Sequence, residues 1–326
     1  MKRPSWIAGT SGALVLWLLA LSPTPGVAQT PGRMYRLGHL ANSAISEAAT
    51  RQITLPELAK LGFIEGQNFT FESRVGEAPA LPGLMQELLA TKPDAIIAVG
   101  TGAILTARAA TQNVSIVAFG ADPVELKLAQ TYARPGGNIT GMVILLSELE
   151  PKRMSILLEA LPERKRVAAL VSPAQRPIVE PALKKAAAGL GAELSVFPVS
   201  SAADYPAAFA AMRAAGVQSL LIGAATELFR DGKQLAALAS EAGLPTMCEW
   251  AEMVQMGCMI GYGPSRTALR KRLAVQLASI FRGTPAGDIA IEQPTLYEFG
   301  LNLKIAKSLG VSIPQSVLVR ADEVIE

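Results

Sequence analysis

Residues 94–102 read DAIIAVGTG, and this stretch decides the fold. In the predicted strand Asp94–Val99, every residue after Asp94 is apolar on both faces, which is typical of a parallel strand buried between two layers of helices. Gly100-Thr101-Gly102 then turns the chain into a predicted helix over 103–111, and a second apolar run, SIVAF, follows at 115–119. A buried strand, a helix and another buried strand form a βαβ unit, whose crossover is right-handed in nearly all proteins.

The same alternation extends in both directions. Upstream, the strand 35–40 is followed by Asn42-Ser43, which can cap a helix over 46–61, and downstream the pattern begins again after a turn cluster at 134–138. A helix is also predicted near 124–132 and a strand over 288–292. The second series comprises predicted strands at 167–171, 193–198, 219–222, 245–248 and 259–262, with a long helix at 266–281. The sequence therefore predicts an α/β protein with two doubly wound, Rossmann-like lobes.

Length and composition agree with two lobes. The chain has 326 residues, of which 50% are hydrophobic and 17% charged, and single cores stop growing at about 250–300 residues. Because the net charge is only +3 and the basic residues are dispersed, we expect no nucleic-acid partner. A single histidine and two cysteines exclude a His-rich zinc site and a four-cysteine cluster. We expect no metal, no cofactor and no catalytic residue.

The first residues have the pattern of an export signal. Met1-Lys2-Arg3 precedes the apolar run 13–21, and small residues flank Val27. Since this run is shorter than the ~20 residues that a membrane-spanning helix needs, we predict a signal peptide over 1–28 rather than an anchor. The later elements suggest that the chain crosses between lobes more than once. We predict one lobe from 29–143 plus 265–300 and the other from 144–264 plus 301–326, joined by a multi-strand hinge.

In open parallel sheets, ligands lie beyond the carboxyl ends of the strands. Positions that follow predicted strands are therefore the candidate ligand-binding residues: Asn42, Ser43, Thr101, Gly102, Ala103, Asp122, Pro123, Thr226, Glu249, Trp250 and Tyr262. The Gly100–Gly102 turn offers backbone N–H groups and a hydroxyl to a carboxylate, but a plain strand-to-helix turn would look the same. Asp122 suits a ligand ammonium, although capping the next segment is the commoner role.

Two aromatic residues and one acid complete the candidate set. Trp250 and Tyr262 lie at the ends of second-lobe strands and could cover an apolar or cationic ligand, or pack in the core at the hinge. Glu249 could supply a second anionic contact or remain a solvated surface residue. Cys248 and Cys258 are predicted to form a disulfide in an exported protein; two buried thiols are the alternative.

Several separated motifs carry a family resemblance. They are LGFIEGQN at 61–68, ADPV at 121–124, RPGGNITG at 134–141, GYGPS at 261–265, EQPT at 292–295, NLK at 302–304 and RADEV at 320–324. Their order along nearly the whole chain resembles the ABC-transporter substrate-binding family that includes tryptophan and tyrosine binders. The resemblance implies the type I periplasmic-binding-protein fold, with two lobes, three crossovers, a ligand in the cleft, and delivery to a membrane permease.

The leading functional hypothesis is therefore a monomeric periplasmic receptor that closes on a small molecule. The resemblance suggests an aromatic or branched amino acid, while small uncharged loops such as 41–44 and 224–226 leave room for other acids or amides. One alternative is a secreted α/β hydrolase that uses carboxylates. A ligand-sensing domain for a signalling partner is another.

Overall fold

The structure is a computed structural model that describes residues 32–326. The predicted signal peptide, residues 1–28, lies outside the described residues. Within them, no helix combines the length and the apolar character needed to span a membrane.

Two sheets organise the chain. The first is wholly parallel, in the order β2-β1-β3-β4-β5. Its strands are β1 (Tyr35–Ala41), β2 (Phe69–Val75), β3 (Ala95–Val99), β4 (Ser115–Gly120) and β5 (Ile139–Val143). The second has the order β12-β11-β10-β9-β8-β6-β7, and its β10–β11 pair is antiparallel. Its strands are β6 (Arg166–Val171), β7 (Glu193–Pro198), β8 (Ser219–Ile222), β9 (Thr246–Cys248), β10 (Ile260–Pro264), β11 (Tyr297–Asn302) and β12 (Glu323–Ile325).

Helices cover both faces of the sheets. They are α1 (Ala44–Ala49), α2 (Leu55–Lys60), α3 (Leu81–Ala90), α4 (Thr101–Ala110), α5 (Leu146–Ala160), α6 (Arg176–Gly189), α7 (Tyr205–Ala214), α8 (Thr226–Arg230), α9 (Gly232–Glu241), α10 (Arg266–Phe281), α11 (Leu303–Ser308) and α12 (Gln315–Leu318). Strand β3 is an unbroken apolar run because both of its faces are buried. Ile96 and Ala98 pack into one hydrophobic core, whereas Ile97 and Val99 pack into another on the opposite face. The prediction of two doubly wound α/β lobes is confirmed.

The helix predicted over 46–61 has a feature that its sequence did not reveal. Ser43 caps its start by accepting a hydrogen bond from the Ile45 N–H at 3.2 Å, as predicted. Between α1 and α2, however, Thr50–Thr54 is π-helical, and this segment packs against α10. Such π segments are frequent near functional sites.

Two predicted elements are wrong. The segment 124–132 forms turns instead of a helix, because Lys127 adopts a left-handed conformation with φ of 59° and the N–H groups of Leu128 and Ala129 both donate to the Pro123 carbonyl. The predicted strand 288–292 begins at the last residue of a 3₁₀ turn (Ala286–Asp288) and forms only a single bridge, between Glu292 and Met142. Glu292 exchanges backbone hydrogen bonds with Gly141 and Val143 at the edge of the first sheet, and from Tyr297 onward the chain belongs to the second sheet.

The chain passes between the lobes three times. After the first lobe it forms the second sheet up to β10, returns to the first lobe as α10, and then rejoins the second sheet as β11. The passages follow β5, β10 and the bridge at Glu292. At the first passage, Leu145 is left-handed with φ of 48°, a conformation that costs a non-glycine residue roughly 1–2 kcal/mol. The predicted lobe boundary at residue 300 falls inside β11, which lies in the second sheet.

A disulfide joins Cys248, at the end of β9, to Cys258, just before β10, with Cα atoms 6.3 Å apart. The structure thus agrees with the disulfide prediction rather than with two buried thiols. Both cysteines are fully buried, and the link closes the loop that carries Glu249 and Trp250.

Candidate functional site

A cavity lies between the lobes, where the carboxyl ends of β3, β4, β8 and β9 converge. The space inside it is about 460 Å³ when the open solvent at its mouth is counted. Its lining residues are Ser46, Val99, Gly100, Phe119, Gly120, Ala121, Ile144, Leu146, Gln175, Ala224, Ala225, Thr226, Phe229, Glu249, Trp250, Arg266 and Arg270. Most of these are apolar, and the charged groups are one acid and two arginines.

The two lobes touch at the edge of this cavity. Gly100, with φ of 85°, has no room for a side chain, because a Cβ atom there would lie 2.6 Å from the Thr226 hydroxyl of the other lobe. Nearby, the Asn42 amide donates to Glu227 Oε2 across the cleft at 2.9 Å. The structure therefore represents a closed arrangement of the lobes.

Glycines fix the segment that carries Glu249 and Trp250. Side chains at Gly261 and Gly263 would approach the carbonyl oxygens of Trp250 and Glu249 within 2.2 Å each, so the segment lies directly on β10. Arg153 donates from Nη2 to the Glu249 carbonyl at 3.0 Å. These contacts explain why the GYG sequence of β10 is needed to hold Glu249 and Trp250 at the cavity wall.

Glu249 is a buried acid with an altered protonation equilibrium. Burial raises the pKa of its carboxyl group to about 8, and the nearby Glu150 raises it as well, whereas Arg153 and Arg266 oppose the shift. The carboxyl group therefore favours its neutral form at pH 7. It can donate a hydrogen bond, or it can ionise when a cation enters the cavity.

Two arginines from one face of α10 supply the positive charge. Arg266 forms an ion pair with Glu252 at 2.7 Å and lies 4.6 Å from the centre of the Phe229 ring. Arg270 is 2% exposed and lies 4.6 Å from the centre of the Phe119 ring. Burial, and then Arg266, lower the pKa of Arg270 to about 9, so that its guanidinium is still charged at pH 7.

The single histidine is structural. His39 is fully buried in β1 and its Nδ1 is 3.0 Å from the Ser73 hydroxyl. Burial, together with Arg270 and Arg51, lowers the pKa of His39 to about 3. The imidazole is therefore neutral at physiological pH. Among residues 32–326, no group of three or more acids, histidines or cysteines could hold a metal ion.

Of the predicted site residues, Thr226, Glu249 and Trp250 line the cavity. Asn42 forms the interlobe hydrogen bond at its edge, and Ser43 serves as the cap of α1. Thr101, Gly102 and Ala103 form the first turn of α4 without lining the cavity. Thr101 and Ala103 are buried there, and the Thr101 hydroxyl has no hydrogen-bond partner among the described residues.

Asp122, Pro123 and Tyr262 lie elsewhere. Both Asp122 oxygens serve its own lobe: Oδ1 accepts from the Val124 N–H at 2.8 Å, and Oδ2 accepts from the Tyr132 hydroxyl at 2.5 Å. This is the capping alternative, and Pro123 belongs to the same turn. Tyr262 stacks on Tyr297, 5.9 Å between ring centres, away from the cavity.

The sequence reasoning missed Phe119, Phe229, Arg266 and Arg270. Phe119 ends an apolar strand run, so strand position alone could have indicated it. The arginines are four residues apart on a predicted helix, which places them on one face. Their position at the cleft could not be read from this spacing. It depends on the second passage between the lobes and on the π-helical segment against which α10 packs.

Comparison with known proteins agrees with this architecture. The chain is similar to a conserved domain protein from Vibrio cholerae, with 23% identity, a TM-score of 0.83 and coverage of 89% of this chain and 99% of that one. It is similar to an ABC domain in complex with L-Trp from Streptococcus pneumoniae, with 20% identity, a TM-score of 0.82 and the same coverages of 89% and 99%.

A more distant structure is a solute-binding protein from R. palustris in complex with benzoate, with 13% identity, a TM-score of 0.53 and coverage of 78% of both chains. No curated protein matches the chain. The fold is that of the type I periplasmic binding proteins. Residues 48–325 match the family described as ABC transporter substrate binding protein. The chain therefore belongs to the ABC transporter substrate-binding protein family.

Proposed function

We propose that this protein is the extracytoplasmic receptor of an ABC import system, and that it binds a small organic molecule between its lobes and delivers it to a membrane permease. The observation that carries the proposal is the closed, mainly apolar cavity at the carboxyl ends of both sheets. A cavity shared by two hinged lobes converts ligand binding into a change of shape that a permease can recognise. No bond is made or broken.

The sequence and the family also support a location, an oligomeric state and a class of solute. The predicted signal peptide would bring the protein to the periplasm, where we expect a monomer without a nucleic-acid partner or a cofactor. Solved structures of this fold include one in complex with L-Trp and one in complex with benzoate. An amino acid or a related carboxylate is therefore the class of solute to test first.

The chain contains its own reporter of binding. Its other two tryptophans, Trp6 and Trp17, lie in the predicted signal peptide, so Trp250 is the only tryptophan among the described residues. Because Trp250 lines the cavity, a ligand should change its fluorescence. We expect a saturable titration with one site per chain. At a solute concentration of 100 times the Kd, binding should stabilise the folded protein by roughly 2.7 kcal/mol, which a thermal-shift measurement detects.

The panel should comprise amino acids, organic acids, sugars, nucleosides and short peptides. Small-angle scattering with the best solute should show a smaller radius of gyration than without it. If no solute changes fluorescence or melting temperature, or if binding leaves the radius of gyration unchanged, the receptor hypothesis is contradicted. Hydrolysis of the bound solute, detected by mass spectrometry, would favour the secreted-enzyme alternative.

A further inference from the structure

Arg270 is a buried charge without an opposite charge. It lies on the cavity wall and is 2% exposed. Its Nη1 donates to the Thr50 hydroxyl at 2.9 Å, while Nε is buried without a hydrogen-bond partner among the described residues. No ion pair within the described part of the chain includes Arg270. A guanidinium with five N–H donors is thus largely unused.

Arg153 shows what a structural arginine looks like in the same protein. It is also fully buried, but it faces Glu150 at 3.2 Å and donates to the carbonyl oxygens of Tyr262 and Glu249 at 2.8 Å and 3.0 Å. Protein groups therefore compensate the charge of Arg153. Arg270, by contrast, lines the cavity, and its guanidinium has one hydrogen-bond partner among the described residues, the Thr50 hydroxyl.

The charges around Arg270 do not supply a partner. His39 is neutral, Arg51 pairs with Glu47 and Glu65, and Glu252 is occupied by Arg266. Glu249, on the same cavity, favours its neutral form. The wall formed by α10 is consequently positive, and an uncompensated buried charge is strongly unfavourable for a protein that has no other use for it.

We propose that Arg270 is the carboxylate receptor of the cleft, and that the solute is a monocarboxylate with an apolar, preferably aromatic, body. The proposal rests on the proposed receptor function and names its solute class. A planar guanidinium binds a carboxylate through two parallel hydrogen bonds. Phe119 fixes the guanidinium plane from one side, and Phe119, Phe229 and Trp250 provide aromatic walls for the body of the solute.

Matched pairs of acid and amide test this assignment. The probes are benzoate with benzamide, phenylacetate with phenylacetamide, and L-phenylalanine with its carboxamide. L-Tryptophan and its carboxamide, which fluoresce themselves, are followed by thermal shift alone. For the wild type we expect Trp250 fluorescence and thermal shift to respond to at least one acid and at least 10-fold more weakly to its amide. The full chain is compared with Arg270→Met, which removes the charge while keeping the length, and with Arg270→Lys, which keeps the charge without the planar fork.

We expect Arg270→Met to weaken binding of the acid by about 10- to 150-fold, the equivalent of one charged hydrogen bond, and to leave binding of the amide unchanged. Its melting temperature without solute should stay equal or rise, because an unpaired buried charge has been removed. Arg270→Lys should fold and bind the acid at least 10-fold more weakly. Arg282→Met, at the exposed residue that follows the last residue of α10, is the control and should bind like the wild type.

A wild type that binds acid and amide equally, or an Arg270→Met variant that binds the acid normally, would overturn the assignment while leaving the receptor function intact. A loss of melting temperature in Arg270→Met with an unchanged preference for the acid over the amide would show a structural role instead. A wild type that responds to sugars, nucleosides or peptides but to no acid would also refute the monocarboxylate class. No response to any solute would contradict the receptor function itself.

Discussion

The hydrogen bond between Asn42 and Glu227 connects the two lobes, so it should stabilise the closed state alone. Replacing Asn42 by alanine removes the donor, whose Nδ2 lies 2.9 Å from Glu227 Oε2. Both residues are half-buried, and a hydrogen bond to a charged group contributes about 1.5–3 kcal/mol. We take the lower end of this range for a half-buried pair, which corresponds to about a 10-fold loss of affinity.

The stability of the ligand-free protein should barely change, within about 0.5 kcal/mol, because open lobes do not form this bond. The assay is a Trp250 fluorescence titration with the best solute of the panel, combined with urea unfolding without solute. Asn42→Ala, Glu227→Ala and the double variant form a mutant cycle, in which we expect a coupling of about 1–1.5 kcal/mol in binding. Asn113→Ala, at an exposed asparagine before β4 in the same lobe, is the control.

A coupling near zero in binding would refute the interlobe role of this pair. So would an Asn42→Ala variant whose unfolding free energy falls by as much as its binding free energy, since the bond would then exist in the ligand-free state as well.

Three further predictions concern the second lobe. Arg153→Met should lower the unfolding free energy by about 3–5 kcal/mol, because it leaves Glu150 buried without its counter-ion; urea unfolding checks this, and a loss below 1 kcal/mol would contradict it. The pKa of Glu249 is raised to about 8 from its ordinary 4.5, so the folded state holds a proton that the unfolded state releases, and stability should fall as pH rises from about 4.5 to 8. Glu249→Gln should flatten that slope; an equal slope in both proteins would contradict the assignment. Replacing Cys248 and Cys258 by serine should cost at most about 3 kcal/mol for so short a loop, and alkylation of the denatured protein without reductant should add no mass, whereas two added groups would show free thiols.

The strand and helix pattern was predictable from sequence because it depends on local periodicity. The run 94–99 could hardly belong to anything other than a buried strand, and the helix predicted over 266–281 matches α10 in both bounds. Elements that depend on a single backbone conformation were not predictable in this way. Lys127 adopts a left-handed conformation, and no residue type in the segment 124–132 predicts the turn that results.

The candidate site was predictable only where it follows strand ends. Glu249 and Trp250 come directly after β9, and Thr226 ends the loop that follows β8, so sheet topology indicated them. Asp122 also follows a strand, but its oxygens are used by Val124 and Tyr132, and the sequence left that alternative open.

Arg270 could not be found by the rule of strand ends, because a helix carries it. That helix reaches the cleft only after the chain has returned to the first lobe. Its environment depends on Phe119 from β4 and Thr50 from the π-helical segment, which are far apart in the sequence. Long-range packing, rather than any local pattern, determines this part of the cavity.

We expect the two lobes to close around a small solute held in the cavity that Trp250 and Arg270 line. A crystal structure of the protein with the best-binding solute of the panel tests this claim most directly. We expect the solute between Phe119 and Trp250, with carboxylate oxygens about 2.7–2.9 Å from the Arg270 nitrogens. A solute bound outside the cleft would contradict closure around the cavity, and a solute bound within it with its carboxylate turned away from Arg270 would contradict the role of Arg270.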